Sequence, residues 1–212
     1  MTRGQRRDFQ PREPLCHQGD GSTHVLLLLE GVAKVGAVTD SGYELILRFM
    51  KPGEAVGVEG ALDGKERAAT VTALRKCRTL IVSDMHFRAF LAEHPEAATS
   101  LVRELAKGLR SADRTRAAEA SSTSIQRLAH ALLKLSEEYG EPSHSGHVRI
   151  SLPLSQQEIA SYIGTSREAV ARAIRQLRSN EIINTSYREI VILSPAELKT
   201  IADGVYQLNL WR

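Results

Sequence analysis

Apolar positions in the first ninety residues come in short bursts separated by turn residues. His24 to Glu30, Val32 to Val38, Glu44 to Phe49, Ala69 to Leu74 and Thr79 to Ser83 are runs of strand length. Between them lie Gln18-Gly19-Asp20-Gly21, Asp40-Ser41-Gly42, Lys51-Pro52-Gly53-Glu54 and Asp63-Gly64-Lys65. Most turns are eight to twelve residues apart, which predicts a sandwich or barrel-like β-roll. Ten of the fifteen glycines fall before residue 65, where turns need them.

The period changes near His94-Pro95. From Glu96 to about Ala120 only Gly108 interrupts, and Leu101, Val102, Leu105, Leu109 and Ala112 recur at helical spacing. A helix of some 25 residues would be about 37 Å long, more than a small β domain covers. Its stripe of Leu101, Leu105, Leu109 and Ala112 calls for a partner, and the simplest is a second copy of itself. The alternative is a helix packed on its own domain. Ala120-Ser121-Ser122-Thr123-Ser124 then reads as a hinge and Ile125 to Tyr139 as a second helix, with Leu128, Leu132, Leu133 and Leu135 inside. The expected domains are a β-roll over 1–95, a pairing helix and hinge over 96–123, and a C-terminal domain over 124–212.

That last domain carries the strongest local signals. Ser155-Gln156-Gln157-Glu158 forms a capping box, with Leu154 and Ile159 placed as a hydrophobic staple. The helix it starts, Gln156 to Ile163, ends at Gly164. Thr165 or Ser166 caps a second helix running to about Ser179. On a wheel of 100° per residue, Ala169, Val170, Ala173, Ile174 and Leu177 share one side. Arg167, Glu168, Ala171, Arg172, Arg175, Arg178 and Ser179 share the other. Two helices joined by a tight glycine turn, the second basic, match a recognition helix for a DNA major groove. Arginine pairs with guanine O6 and N7, and glutamate accepts from cytosine N4. Thr165 to Glu168 also fits a capping box, so Glu168 could serve as a cap instead. Downstream, Ile182-Ile183-Asn184 and Ile190-Val191-Ile192-Leu193 flank Thr185 to Glu189. They predict a wing with Tyr187 and Arg188 at its tip for phosphate contacts. Ser194-Pro195-Ala196-Glu197 caps a last helix that buries Leu198, Ile201 and Ala202.

Composition narrows the alternatives. The chain has 212 residues, 42% hydrophobic and 25% charged, with a formal net charge of +3. That is ordinary globular usage, neither disordered nor disulfide-stapled. No run approaches the roughly 18–20 apolar residues of a membrane span. The basic start, Met1 to Arg7, leads into no apolar segment, so no signal peptide is expected. Two unclustered cysteines, Cys16 and Cys77, point to a reduced, cytoplasmic protein. The exposed face of the second helix holds four arginines and one glutamate, a surplus equal to the whole chain's. No nucleophile elbow, phosphate-binding glycine loop or metalloprotease motif is present, so no enzyme is expected.

The motifs Ser155-Gln156-Gln157-Glu158-Ile159-Ala160 and Gly164-Thr165-Ser166-Arg167-Glu168-Ala169-Val170-Ala171-Arg172 resemble those of the CRP/FNR family of bacterial transcription regulators, the cyclic-AMP receptor proteins. His17-Gln18-Gly19-Asp20, Leu29-Glu30-Gly31, Gly53-Glu54 and Glu66-Arg67-Ala68-Ala69-Thr70-Val71 follow the family's β-roll signature, and the likeness runs from Phe9 to Leu193. The resemblance implies an α+β fold. Its parts are an N-terminal β-roll of the cyclic-nucleotide-binding jelly-roll type, a long dimerisation helix and a C-terminal winged helix-turn-helix. It implies a homodimer on palindromic double-stranded DNA, with the helix 166–179 in the major groove and RNA polymerase as a further partner. Arg167, Glu168 and Arg172 then read bases. Ser155, Gln156, Thr165, Ser166, Arg175, Arg178, Tyr187 and Arg188 hold the backbone.

The effector site departs from the family's pattern. Cyclic-AMP binders use a Gly-Glu pair for the ribose, an Arg-Ser pair for the phosphate and a Thr-Ser pair on the long helix for the base. Here the positions read Gly57-Val58, Arg67-Ala68 and Ala112-Asp113. Glu59 follows one residue late, on the other face if the segment is a strand. A hydrogen-bonding group left unpaired costs about 1–3 kcal/mol, so three altered positions would abolish micromolar cyclic-AMP binding. Arg67 is left to bind another anion or to form an internal ion pair. No cofactor is expected. An iron–sulfur cluster needs about four cysteines, and Cys16, His17, Cys77 and His86 make only a weak haem set. His144-Ser145-Gly146-His147 is an unspecific metal pattern. A sensor module working through protein contacts instead of DNA is the alternative function.

Overall fold

The computed structural model describes residues 4–119, 122–143, 146–187 and 189–205. The chain forms two compact units, Met1–Asp113 and Arg114–Arg212.

In the first unit, eight strands build two four-stranded antiparallel sheets. β1 (Gln5–Phe9), β8 (Cys77–Val82), β3 (Val25–Glu30) and β6 (Ala55–Val56) lie in that order in one sheet. β2 (Pro14–Cys16), β7 (Thr70–Ala73), β4 (Ala33–Val38) and β5 (Glu44–Met50) form the other. Every strand gives at least one side chain to a shared core, among them Phe9, Leu15, Leu26, Leu28, Val35, Met50, Val56, Val71 and Cys77. Alternation supplies the two faces: Val25, Leu26 and Leu28 are buried in β3, while Leu27 and Leu29 are partly open.

The all-β expectation for the first ninety residues needs two corrections. Val58–Asp63 is a short helix, α1, and Asp84–Glu93 is a second, α2. Ser83 caps α2, its hydroxyl accepting from the His86 amide. The Arg88 side chain donates to the Ala61 carbonyl at 2.8 Å and ties the two helices together. Val58 and Ala61 bury against Val25, with Phe87 and Leu101 packed alongside. The long helix α3 runs Pro95–Glu119. Leu101, partly buried, therefore takes part in the packing of its own unit. Val102, Leu105 and Leu109 remain 64%, 42% and 66% exposed, and Ala112 is exposed beside them.

In the second unit, α4 (Ser124–Tyr139) packs against α5 (Gln156–Ile163), α6 (Arg167–Ser179) and α7 (Pro195–Ala202). A four-stranded sheet accompanies them in the order β11 (Ile183–Ser186), β12 (Glu189–Ile192), β10 (Val148–Ile150) and β9 (Gly140–Pro142). Leu128, Leu132, Leu135, Leu177, Ile182, Ile192 and Leu198 are nearly inaccessible to solvent. Ala120 and Ser121 of the expected hinge lie outside the described residues. Of the remaining Ser122, Thr123 and Ser124, Ser124 is the first residue of α4 and Thr123 belongs to a capping box that opens it, the Gln126 side chain accepting from the Thr123 amide at 2.8 Å. In α7 the expected residues are buried, but Ser194 makes no side-chain cap.

Candidate nucleic-acid interface and effector site

The α5–turn–α6 segment is assembled by local hydrogen bonds. The Ser155 hydroxyl accepts from the Glu158 amide at 3.1 Å, and the Glu158 carboxylate accepts from the Ser155 amide and hydroxyl at 2.9 Å. Gly164 follows with φ 63° and ψ 47°, a left-handed conformation that glycine adopts without a Cβ clash. Ser166 is the cap of α6, its hydroxyl accepting from the Ala169 amide at 3.2 Å. Glu168 therefore sits one residue too early for a capping box and is no cap.

Two restraints on this turn carry no sequence signal, because both partners lie far back in the chain. The Arg127 guanidinium donates to the Gly164 carbonyl at 3.1 Å and to the Ser122 carbonyl at 3.2 Å. The Ser124 and Thr165 hydroxyls share a hydrogen bond of 3.0 Å. The resemblance gives Thr165 to the DNA backbone, but its hydroxyl braces the turn. Beneath it, Tyr162 is packed against the core, and burial with the nearby Glu138 charge pushes its phenol up to about 12. It stays protonated.

α6 separates its faces as the wheel requires. Val170, Ala173, Ile174 and Leu177 are buried, while Arg167, Glu168, Arg172, Arg175 and Arg178 are all exposed. Those five side chains have no hydrogen bond or ion pair among the described residues. Their charges are therefore available to an external partner. Ser155, Gln156 and Ser166 are exposed at the starts of the two helices.

The wing's ladder takes in Thr185, Ser186 and Glu189 from the segment between the two apolar runs, Thr185 pairing with Ile190 and Ser186 with Glu189. The Ser186 hydroxyl donates to the Glu189 carboxylate at 3.0 Å. Tyr187 stands 85% exposed at the tip. Arg188 lies outside the described residues.

In the first unit the expected effector positions differ in exposure. Gly57 precedes α1 with φ 79°, and Val58 is buried as the first residue of that helix. The segment is helical, so Glu59 is turned about 100° from Val58 and is exposed. The strand alternation expected for this segment therefore does not apply. Ala68, Ala112 and Asp113 are exposed.

Arg67 is the unusual member, being 5% exposed. Its Nη2 donates to the His24 carbonyl and its Nε to the Ser22 hydroxyl at 3.2 Å. Nη1 is buried without a hydrogen-bond partner. The internal ion-pair alternative falls, since Arg67 has no carboxylate partner among the described residues. Gly57 makes the close approach possible: a Cβ there would overlap Nη1. The positive charge also lowers the His24 pKa, adding to the larger effect of burial.

Of the other cofactor candidates, Cys77 and His86 have internal hydrogen-bond partners. His144 of the expected metal pattern lies outside the described residues. The Cys77 thiol donates to the Val32 and Arg75 carbonyls at 3.3 and 3.2 Å, and burial pushes its pKa up. Burial likewise raises that of Cys16. His86 Nδ1 is 2.9 Å from the Ser83 hydroxyl. No cluster of three or more potential metal ligands occurs among the described residues, nor does any helix long and apolar enough to cross a membrane.

Comparison with known proteins finds a family match in each of the two units. Residues 6–94 match the cyclic nucleotide-binding domain family, and residues 126–201 match the Crp-like helix-turn-helix domain. The transcriptional activator Anr of Pseudomonas protegens is 27% identical over 93% of this chain and 80% of its own length. The cAMP-activated global regulator CRP of Haemophilus influenzae is 27% identical over 87% of this chain and 82% of its own. Among solved structures, a CRP/FNR-family transcriptional regulator of Thermus thermophilus is 27% identical with a TM-score of 0.78, covering 94% and 98% of the two chains. FixK2 of Bradyrhizobium japonicum shares the fold at a TM-score of 0.81 and 21% identity, over 93% and 96%. The first three of these proteins are named as transcriptional activators or regulators. The β-roll, the long helix and the winged helix-turn-helix with its free basic face have one reading: the chain belongs to the CRP/FNR family of DNA-binding transcription regulators.

Proposed function

We propose that the protein acts as a cytoplasmic homodimer on a palindromic DNA site, with α6 of each copy in a major groove and Arg167, Glu168 and Arg172 reading base edges. The observation that carries this is the exposed α6 face, whose four arginines and one glutamate have no partner within the described residues. A two-fold pair places the two helices one DNA turn apart, about 34 Å, so the half-sites should be spaced by a turn. Ser155, Gln156, Ser166, Arg175, Arg178 and Tyr187 hold phosphates. The pairing surface is the α3 stripe of Val102, Leu105 and Leu109. RNA polymerase is the partner through which bound protein changes transcription.

We further propose that cyclic AMP is not the effector in the usual manner. Val58 and Ala68 offer no polar group, and Arg67 is already seated over Gly57 and hydrogen-bonded to His24 and Ser22. Arg67 then answers to a different anion. Low-micromolar cyclic-AMP binding in calorimetry, coupled to a gain in DNA affinity, would overturn this part.

For DNA reading, duplexes selected by the full chain from a random pool provide the probe. Arg172→Ala should lower affinity for the selected duplex about 5–150-fold, from the ~1–3 kcal/mol of a bidentate contact. It should change scrambled duplex far less. Undiminished discrimination would refute the assignment.

A further inference from the structure

Two hydrogen bonds join the first turn of α4 to the turn that precedes α6. Arg127 is the fourth residue of α4. A cation near a helix N-terminus is disfavoured by the helix dipole, whereas one at a C-terminus is favoured. Arg127 therefore gains nothing from its own helix, and its place is explained by what it touches at the end of α5. Gly164 is the C-cap of α5, so its carbonyl has no partner within that helix. The Arg127 Nη1 donates to it at 3.1 Å. The fork is itself held, because Nε donates to the Ser122 carbonyl at 3.2 Å. One residue beyond Gly164, the Thr165 hydroxyl shares its 3.0 Å bond with Ser124, the first residue of α4.

We propose that Arg127, seconded by Ser124, is a positioning residue for base reading: it sets the angle at which α6 leaves its turn. The inference rests on the DNA-binding reading above. The apolar face of α6 holds that helix against the core, but hydrophobic contact is non-directional and fixes a tilt only weakly. Hydrogen bonds are directional, and these two act on the residues immediately before the Ser166 cap. Leverage magnifies their effect. Arg172 lies six residues beyond Ser166, about 9 Å along the axis. A tilt of about 10° at the turn would displace it by roughly 1.5 Å, three times the window of about 0.5 Å within which N–H···O bonds form. Arg167, one residue from the cap, would move by only about 0.3 Å. Arg127 thus acts on the bases through Arg172 and not by touching DNA.

The test measures the affinity of the full chain for selected and scrambled duplex by fluorescence anisotropy, over a range of salt concentrations. Arg127→Gln should weaken selected duplex about 5- to 30-fold, the lower part of what one bidentate base contact is worth. Scrambled duplex and its salt slope should be unchanged. Ser124→Ala removes only the partner of Thr165, and should lose discrimination in the same sense by about 2- to 5-fold. Arg127→Gln combined with Arg172→Ala should cost no more discrimination than Arg172→Ala alone, whereas its effect should add to that of Arg167→Ala. Melting curves followed by circular dichroism check folding. If Arg127→Gln does not fold, Ser124→Ala decides alone. Wild-type discrimination in Arg127→Gln and Ser124→Ala, with Arg172→Ala still losing it, would overturn the proposal and leave DNA reading intact. Additive losses in Arg127→Gln and Arg172→Ala would overturn it too. Equal loss on both duplexes would do the same, and a salt slope lower by about 0.9 would then mark Arg127 as a phosphate contact. If Arg172→Ala retains full discrimination, the DNA reading itself has failed.

Discussion

Gly57→Ala is the sharpest test of how the effector site is built. Two effects add. Gly57 has φ 79°, and an L-residue held in the left-handed region costs roughly 1–2 kcal/mol. The new methyl would also overlap Arg67 Nη1, stand 2.5 Å from Cζ and lie 2.9 Å from the His24 carbonyl oxygen. The guanidinium must leave, losing its hydrogen bonds to His24 and Ser22. Bonds to charged groups are worth about 1.5–3 kcal/mol each, but a displaced arginine regains hydration, so only part of that loss appears. A net destabilisation of about 2–4 kcal/mol follows from these two terms. Urea unfolding, followed by the circular dichroism of the β-rich unit, measures it. The double variant Gly57→Ala/Arg67→Ala separates the terms. With Arg67 truncated the side-chain overlap is gone, leaving the backbone strain and the 2.9 Å approach to the His24 carbonyl oxygen. The cycle should therefore show a coupling of about 1–2 kcal/mol, within the range for residues in contact. Additive effects, or a Gly57→Ala cost no greater than the strain alone, would refute the seating of Arg67 over Gly57.

Two further outcomes are expected. Leu105→Glu with Leu109→Glu puts charges into the exposed α3 stripe, and sedimentation should show a dimer converted to monomer at micromolar concentration; an unchanged mass would remove that stripe from the pairing surface. His24 has its pKa lowered by burial, then by Arg67, with Asp20 opposing. The unfolded chain therefore binds the proton more readily than the folded one. Stability should be intact above the ordinary value of 6.5 and decline as pH falls below it. His24→Gln should flatten that decline in acid unfolding curves, and an identical pH profile would dismiss the histidine as its source.

The second unit is the more legible from sequence because its signals are local. Ser155, Glu158 and Gly164 act within one or two helical turns of one another, and the wheel for α6 needs only its own thirteen residues. The buried and exposed faces follow directly. The first unit is less legible. α1 and α2 escape a sequence reading because six and ten residues of mixed polarity carry little periodicity. Each is held by contacts distant in sequence, Val58 against Val25 and Arg88 on the Ala61 carbonyl. The proposal that the usual ribose and phosphate partners are replaced rests, by contrast, on Val58 and Ala68 alone.

The sequence by itself therefore determined the kind of protein: the strand and helix periods, the caps of the helix-turn-helix and the basic face. Tertiary structure decided which of those groups are free. Arg67 had two sequence readings, and only packing set it over Gly57 with one nitrogen unpaired. Arg127 became a brace for the Gly164 turn, and Leu101 a part of its own unit's packing. The physical reason is common to all three. Propensity, capping and amphipathicity act over a few neighbouring residues. The partners of a buried charge or a brace are set by chain segments tens of residues apart that meet only when the core closes.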